Sequence, residues 1–141
     1  MLEKTPEFGN PNMGKAFSWK TSLKNAEIRE IEGRDGFYID RIKVKTVNGT
    51  EEESSPSIGG NGGGPYKWTV PDGEYIIKVE YRQGSWLDGV TFITNKGSRS
   101  PQFGGNGGKG PFEFTLPGGT RLNGFYGHRD QYIRGLGFYY Q

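Results

Sequence analysis

Cysteine is absent from the 141 residues and histidine occurs once, at His128. Without thiols there is no disulfide framework and no Cys-ligated metal centre, and a lone imidazole cannot build a histidine cluster. The chain is therefore read as binding no metal and using no cofactor. No segment approaches the roughly 18 consecutive apolar residues of a membrane-crossing helix. The opening MLEKTPEFGNPNMGK also lacks the basic start and apolar run of a secretory leader. The expectation is a soluble chain without a signal peptide, cytoplasmic or exported by a non-classical route. A dominant charge is missing too: 18 basic against 16 acidic residues leave +2, spread along the chain, which is no field for nucleic acid. Aliphatic residues are scarce, since hydrophobic content is 31% while aromatic content is 14%, so the core must be built from few, large side chains.

Glycine is abundant, 25 residues with 8 prolines. Scattered through polar tracts, that much would read as disorder. Here the glycines recur at corresponding places in three stretches that can be laid over one another. The first runs FGNPNMGKAFSW, IEGRDGFYID and RIKVKTVNG; the second IGGNGGGPYKW, VEYRQGSWLD and GVTFITNKG; the third FGGNGGKGPFEF, FYGHRDQYIR and GLGFYYQ. A period of roughly 45 to 50 residues marks a repeat architecture, in which no unit buries its apolar face alone. The boundaries fall at about 8–50, 58–97 and 103–141, and the whole of 1–141 reads as one domain with pseudo-threefold symmetry.

Period-two alternation marks strands at 16–19, 27–32, 39–47, 66–70, 75–81, 90–94, 112–116, 121–126 and 136–140. Turn chemistry punctuates them at Val47-Asn48-Gly49, Pro71-Asp72-Gly73, Asn95-Lys96-Gly97 and Pro117-Gly118-Gly119. No segment carries a helical stripe. The reading is all-β, with three small antiparallel sheets around one axis and Trp19, Trp68 and Phe114 filling its interior. The acidic run Glu51, Glu52 and Glu53 reads as a solvated loop.

Two elements carry chemistry. The Gly59-Gly60-Asn61-Gly62-Gly63-Gly64 and Gly104-Gly105-Asn106-Gly107-Gly108 loops offer bare backbone N–H groups to an approaching ligand, or else serve as tight strand connections needing positive φ. Gly105, Gly107 and Gly110 satisfy G-x-G-x-x-G, but Pro111 and a strand follow where a helix should open, so the dinucleotide fingerprint fails. A phosphate-binding P-loop fails as well, with Gly110 after Lys109 and Phe103 in the place of its first glycine. The second element is G-x-x-x-D, at Gly36-Phe37-Tyr38-Ile39-Asp40 and again at Gly84-Ser85-Trp86-Leu87-Asp88. A carboxylate on such a turn accepts two hydrogen bonds from adjacent hydroxyls, and the neighbouring ring covers the C–H face of a sugar. Tyr38 and Trp86 are expected to stand exposed beside Asp40 and Asp88. Asp repels anions, so a neutral polyol is the ligand this combination fits. His128, with no nucleophile in matching context, reads as structural, and no enzymatic activity is expected.

These loops and turns, with DGVTFITNKG and the closing GLGFYYQ, resemble the jacalin-related lectins along the whole chain. The resemblance implies the β-prism I fold of three Greek-key antiparallel sheets, and metal-independent sugar binding in which the turn Asp holds two hexose hydroxyls. It implies that each turn faces the glycine loop opening the next repeat: Asp40 with Gly59 and Gly60, Asp88 with Gly104 and Gly105. It also implies mannose- or glucose-type hexoses for an uncleaved chain, on mono- and oligosaccharides or glycoproteins. The third turn departs from the pattern, because Asp130 replaces glycine, Tyr132 keeps the aromatic and Arg134 replaces the carboxylate, while its partner Phe8–Gly14 has lost the glycine wording. Two hexose sites are expected, with the third degenerate and Arg134 engaged in a surface salt bridge or binding an acidic sugar. Weak single sites imply avidity, and hence a homo-oligomer such as a dimer, formed through an exposed sheet face or an exchanged N-terminal strand. The open alternatives are a β-prism adhesion or toxin-targeting module that binds protein, or a galactose-type specificity.

Overall fold

The computed structural model describes residues 2–141. Among them every regular element is a strand: β1 Glu3–Lys4, β2 Phe8–Gly9, β3 Lys15–Lys20, β4 Glu27–Asp35, β5 Ile39–Asn48, β6 Glu51–Ser54, β7 Ile58–Gly59, β8 Gly64–Thr69, β9 Ile76–Gln83, β10 Leu87–Thr94, β11 Phe103–Gly104, β12 Lys109–Thr115, β13 Leu122–Arg129 and β14 Ile133–Tyr140. They form three antiparallel sheets ordered β1-β14-β13-β3, β6-β5-β4-β8 and β11-β10-β9-β12, with β2 also on β14 and β7 also on β5. The fold is the all-β prism expected. The nine strands legible from alternation are all present, and the four turn glycines Gly49, Gly73, Gly97 and Gly119 all have positive φ.

Each sheet straddles a repeat boundary. The hairpin of one repeat pairs with the loop and strand that open the next, so β8 joins β4, β12 joins β9, and the N-terminal β3 joins β13 to close the ring. That register places the G-x-x-x-D hairpin turns and the glycine loops at one end of the prism. β5 carries β7 at its start, and β4 carries β8 at its end, so the chain between β7 and β8 must lie over the β4–β5 turn.

Inward side chains from all three sheets meet on the axis. Ile31, Ile42 and Val44, Val79 and Phe92, and Phe125, Leu136 and Phe138 are essentially inaccessible. Phe92 stacks on Trp68 at 6.1 Å, and meets Phe103 at 6.0 Å and Phe138 edge-on at 5.5 Å, so one ring ties the three sheets together. Burying side chains of this size stabilises the fold by about 1.5–3 kcal/mol each. Trp19, Trp68 and Phe114 are packed against this core but only partly buried, because their strands lie at sheet margins.

A second threefold feature is polar. Thr5, Ser55 and Ser100, each followed by proline, accept the Phe138, Val44 and Phe92 N–H groups at 3.0, 2.9 and 2.9 Å and donate to the carbonyl of that proline at 2.8 Å. The hydroxyl satisfies a buried ladder donor just before each glycine loop begins. The acidic run is not a loop: Glu51–Ser54 is the edge strand β6, paired with β5. Charge on an edge strand discourages further pairing. Glu53 also accepts from the Ser22 N–H at 2.7 Å, the Ser22 hydroxyl at 2.6 Å and the Thr21 hydroxyl at 3.0 Å, which pins the preceding loop.

Candidate functional site

The three hairpin turns have one backbone conformation and differ only in side chains. Gly36, Gly84 and Asp130 each donate their N–H to the carbonyl two residues on, at 3.0 Å in every case. The residue after the aromatic begins the inner strand, and Ile39, Leu87 and Ile133 are completely buried. Burial of that side chain fixes the next one, Asp40, Asp88 or Arg134, on the opposite side of the strand, toward the loop.

The glycine loops divide their residues between two tasks. Gly59 and Gly104 continue the ladder with φ +130° and +91°, and Gly60 and Gly105 donate their N–H to the Asp40 and Asp88 carbonyls at 2.8 and 2.9 Å. A methyl on Gly60 or Gly105 would strike a backbone carbonyl of a different turn, that of Gln131 or Phe37. The third loop makes the same crossing with Asn10, whose amide donates to the Ser85 carbonyl at 3.1 Å. The six loops therefore interlock in a ring. The carboxylates themselves face the second glycine pair: a Cβ on Gly62 would lie 2.5 Å from Asp40 Oδ2, and one on Gly107 would lie 2.7 Å from Asp88 Oδ1. Gly59, Gly60, Gly104 and Gly105 thus reach the aspartates through the backbone, and Gly62, Gly63, Gly107 and Gly108 leave the space around their oxygens.

Each intact loop is held by side chains outside the motifs. Arg34 donates from Nε to the Gly62 carbonyl at 2.9 Å and from Nη2 to the Gly63 carbonyl at 2.7 Å, and Arg82 does the same to Gly107 and Gly108 at 3.2 and 3.5 Å. Arg41 bonds the Gly60 carbonyl and Asn61, at 2.8 and 2.5 Å, while in the next repeat Gln102 bonds the Gly105 carbonyl and Asn106, at 3.0 and 2.6 Å. The first pair was legible in the sequence, since Arg precedes the turn glycine by two residues in both intact repeats and His128 takes that place in the third. The second pair was not, because Arg41 and Gln102 come from different repeat positions.

Asp40 and Asp88 are 4% and 5% exposed. Burial holds both carboxyls above the usual aspartate range; Asp35 adds to this at Asp40 while Arg34 opposes it, and at Asp88 the Arg82 charge and the Gly84 N–H oppose it. A protonated Asp loses its charge-assisted acceptor capacity. Affinity for a hydroxylated ligand should accordingly fall as the pH drops into a range above that of free aspartate, at a higher pH for the Asp40 site than for the Asp88 site. Titration calorimetry from neutral to acid pH on Asp88→Ala and Asp40→Ala chains, each keeping one site, checks both points.

The third turn is closed. Asp130 accepts the Tyr132 N–H at 2.9 Å and the Arg134 Nε–H at 2.9 and 3.0 Å, and although burial opposes ionisation, these bonds hold its carboxyl below the usual range. Arg134 is 8% exposed, so its partnership with Asp130 is a buried one and not the surface salt bridge expected. Its guanidinium lies over the rings of Trp86 at 4.3 Å, Tyr132 at 4.7 Å and Tyr38 at 5.9 Å. Tyr38 in turn meets Trp86 edge-on at 5.7 Å and Tyr132 at 5.2 Å. Tyr38 and Trp86 are half-buried, not exposed as the sequence reading has them, because the aromatic of each turn leans toward the axis. The ring that does stand in solvent is Phe37, 86% exposed. His128 pairs with Glu7 at 2.7 Å, away from the turns.

A prism of three antiparallel sheets with glycine loops laid over hairpin turns at one end defines a lectin-type scaffold, and the match to known proteins agrees. Residues 5–139 match the jacalin-like lectin domain, and the chain belongs to that family. It superposes on a mannose-binding jacalin-related lectin from Ananas comosus with a TM-score of 0.82 at 24% identity, covering 99% of this chain and 97% of that one. It also superposes on artocarpin, described as a lectin with mannose specificity, with a TM-score of 0.84 at 19% identity and the same coverages. A protein of Schizosaccharomyces pombe named as a zinc metalloproteinase is 32% identical over 104 residues, 74% of this chain; the chain spans 16% of that protein's length. Among the described residues no helix is long and apolar enough to cross a membrane, and no three His, Cys, Asp or Glu side chains are grouped to hold a metal ion.

Proposed function

We propose that the chain binds carbohydrate without metal and without chemistry of its own, taking terminal mannose- or glucose-type hexoses at two sites, one around Asp40 and one around Asp88. The observation that carries this reading is the repeated pairing of a buried carboxylate with two glycines whose missing side chains leave room at its oxygens. A carboxylate in that setting accepts from vicinal hydroxyls, and loop and turn N–H groups can donate to the same ring. The mannose specificity printed for artocarpin and for the pineapple lectin supports the choice of hexose. Each site is small and open, so useful strength comes from engaging a branched glycan at several sites, in one chain or in a homo-oligomer.

A second reading has one observation in its favour. The match to a short part of a long fungal protein fits a module that directs an attached activity to its target. A glycan array probed with the purified chain, with and without a chelator, separates the two. Binding to mannose- or glucose-terminated glycans that survives chelation is the expected result. Silence across the array would sink the lectin reading and turn the search to protein partners.

A further inference from the structure

The two sites are alike at the carboxylate and unlike beyond it. In front of Asp40 lies a cavity of 430 Å³ bounded by Gly36, Phe37, Tyr38 and Gly63 and, from the third turn, by Tyr132. That volume falls within the roughly 300–1,000 Å³ of sites that enclose ligands larger than one sugar ring. One carboxylate with two glycines grips one edge of a single pyranose, so the far walls have no task in holding a monosaccharide. Those walls are aromatic. Phe37, 86% exposed, has no polar atom to account for its place on a turn, and its counterparts are Ser85 in the second repeat and Gln131 in the third. Tyr132 is braced from behind by the Arg134 guanidinium, by its edge contact with Tyr38, and by its own N–H on Asp130. Around Asp88 the place of Tyr132 is taken by Tyr38, but no ring stands in the place of Phe37.

We propose that the first site is a two-ring site. Asp40 holds the terminal hexose, while Phe37 and Tyr132 take the apolar faces of the penultimate ring of a manno- or gluco-configured disaccharide; the Asp88 site takes the terminal ring alone. The third turn, its own site closed by Asp130 and Arg134, thereby serves as a wall of the first. The inference rests on the lectin reading above. Its warrant is that a sugar's C–H face gains free energy on an aromatic ring that is already fixed, and that Tyr132 is fixed by three contacts.

The test is calorimetric and uses methyl α-mannoside and methyl α-glucoside against α-linked mannobiose and maltose. Asp88→Ala isolates the first site and Asp40→Ala the second. With Asp88→Ala the disaccharide should bind roughly fivefold to tenfold more tightly than its monosaccharide, from the usual worth of an aromatic contact. With Asp40→Ala the ratio should be close to one. Adding Phe37→Ser or Tyr132→Ala to Asp88→Ala should collapse the ratio, and adding Ser85→Phe to Asp40→Ala should raise it. A ratio near one for Asp88→Ala, or a ratio indifferent to Phe37→Ser and Tyr132→Ala, overturns the two-ring site even though the lectin reading stands. If the unmodified chain binds none of the four sugars, the lectin reading falls and this inference falls with it.

Discussion

Replacing Asp40 and Asp88 together by alanine abolishes hexose binding and leaves the prism folded. A site of millimolar affinity has only about 4 kcal/mol to lose, and a hydrogen bond to a charged group is worth about 1.5–3 kcal/mol. Deleting an acceptor that engages two hydroxyls therefore takes binding below detection. The fold should not suffer, and the sign of the titration shift says why. Burial raises both carboxyls above their unfolded values, so the folded state disfavours their charged form at neutral pH. Removing such a group costs no folding free energy of its own, and the thermal midpoint should stay level or rise slightly. Circular dichroism melting alongside calorimetry checks both halves. Retained glycan binding by a folded double variant would show that the carboxylates are not the sugar contacts.

The second large effect comes from single methyl groups. Gly62→Ala and Gly107→Ala place a carbon 2.5 Å from Asp40 Oδ2 and 2.7 Å from Asp88 Oδ1, far inside contact distance, so either the carboxylate turns away or the hydroxyl's place is filled. Neither glycine has a positive φ, so the backbone accepts alanine without strain. Each variant should lose at least tenfold in affinity at its own site, on the order of 1.4 kcal/mol, and lower the calorimetric stoichiometry from two sugars per chain to one. Gly63→Ala and Gly108→Ala make the contrasting pair. Their φ values of +67° and +65° put a side chain in the left-handed region, at a cost of roughly 1–2 kcal/mol, so these two should lower the melting temperature as well. Equal melting temperatures for all four variants would contradict this division of labour within the loop.

Much of the site was legible in the chain because it is written twice. The G-x-x-x-D turns and glycine loops recur in matching wording, and departures from that wording in the third repeat mark the place where Arg134 replaces a carboxylate. What Arg134 does there could not be read in this way. Its neighbours Trp86 and Tyr38 belong to other repeats and are brought within cation–π reach only when the three turns converge on the axis. The same convergence turns Tyr38 and Trp86 inward, against the exposure that their position beside an aspartate implied, and leaves Phe37 outside. The edge strand β6 was hidden by composition, since three consecutive glutamates carry no alternation and owe their extended form to pairing with β5.

The sequence alone determined the repeat, the nine alternating strands, the four turn glycines and the identity of the two intact aspartates, because each depends on residues within a few positions of one another. The tertiary structure decided the rest: which glycines face the carboxylates, which arginines hold the loops, and which turn lends a wall to another's site. Those outcomes depend on sheets assembled across repeat boundaries, where residues roughly 25 to 95 positions apart come into contact through the register of β-strands and the packing of one shared core.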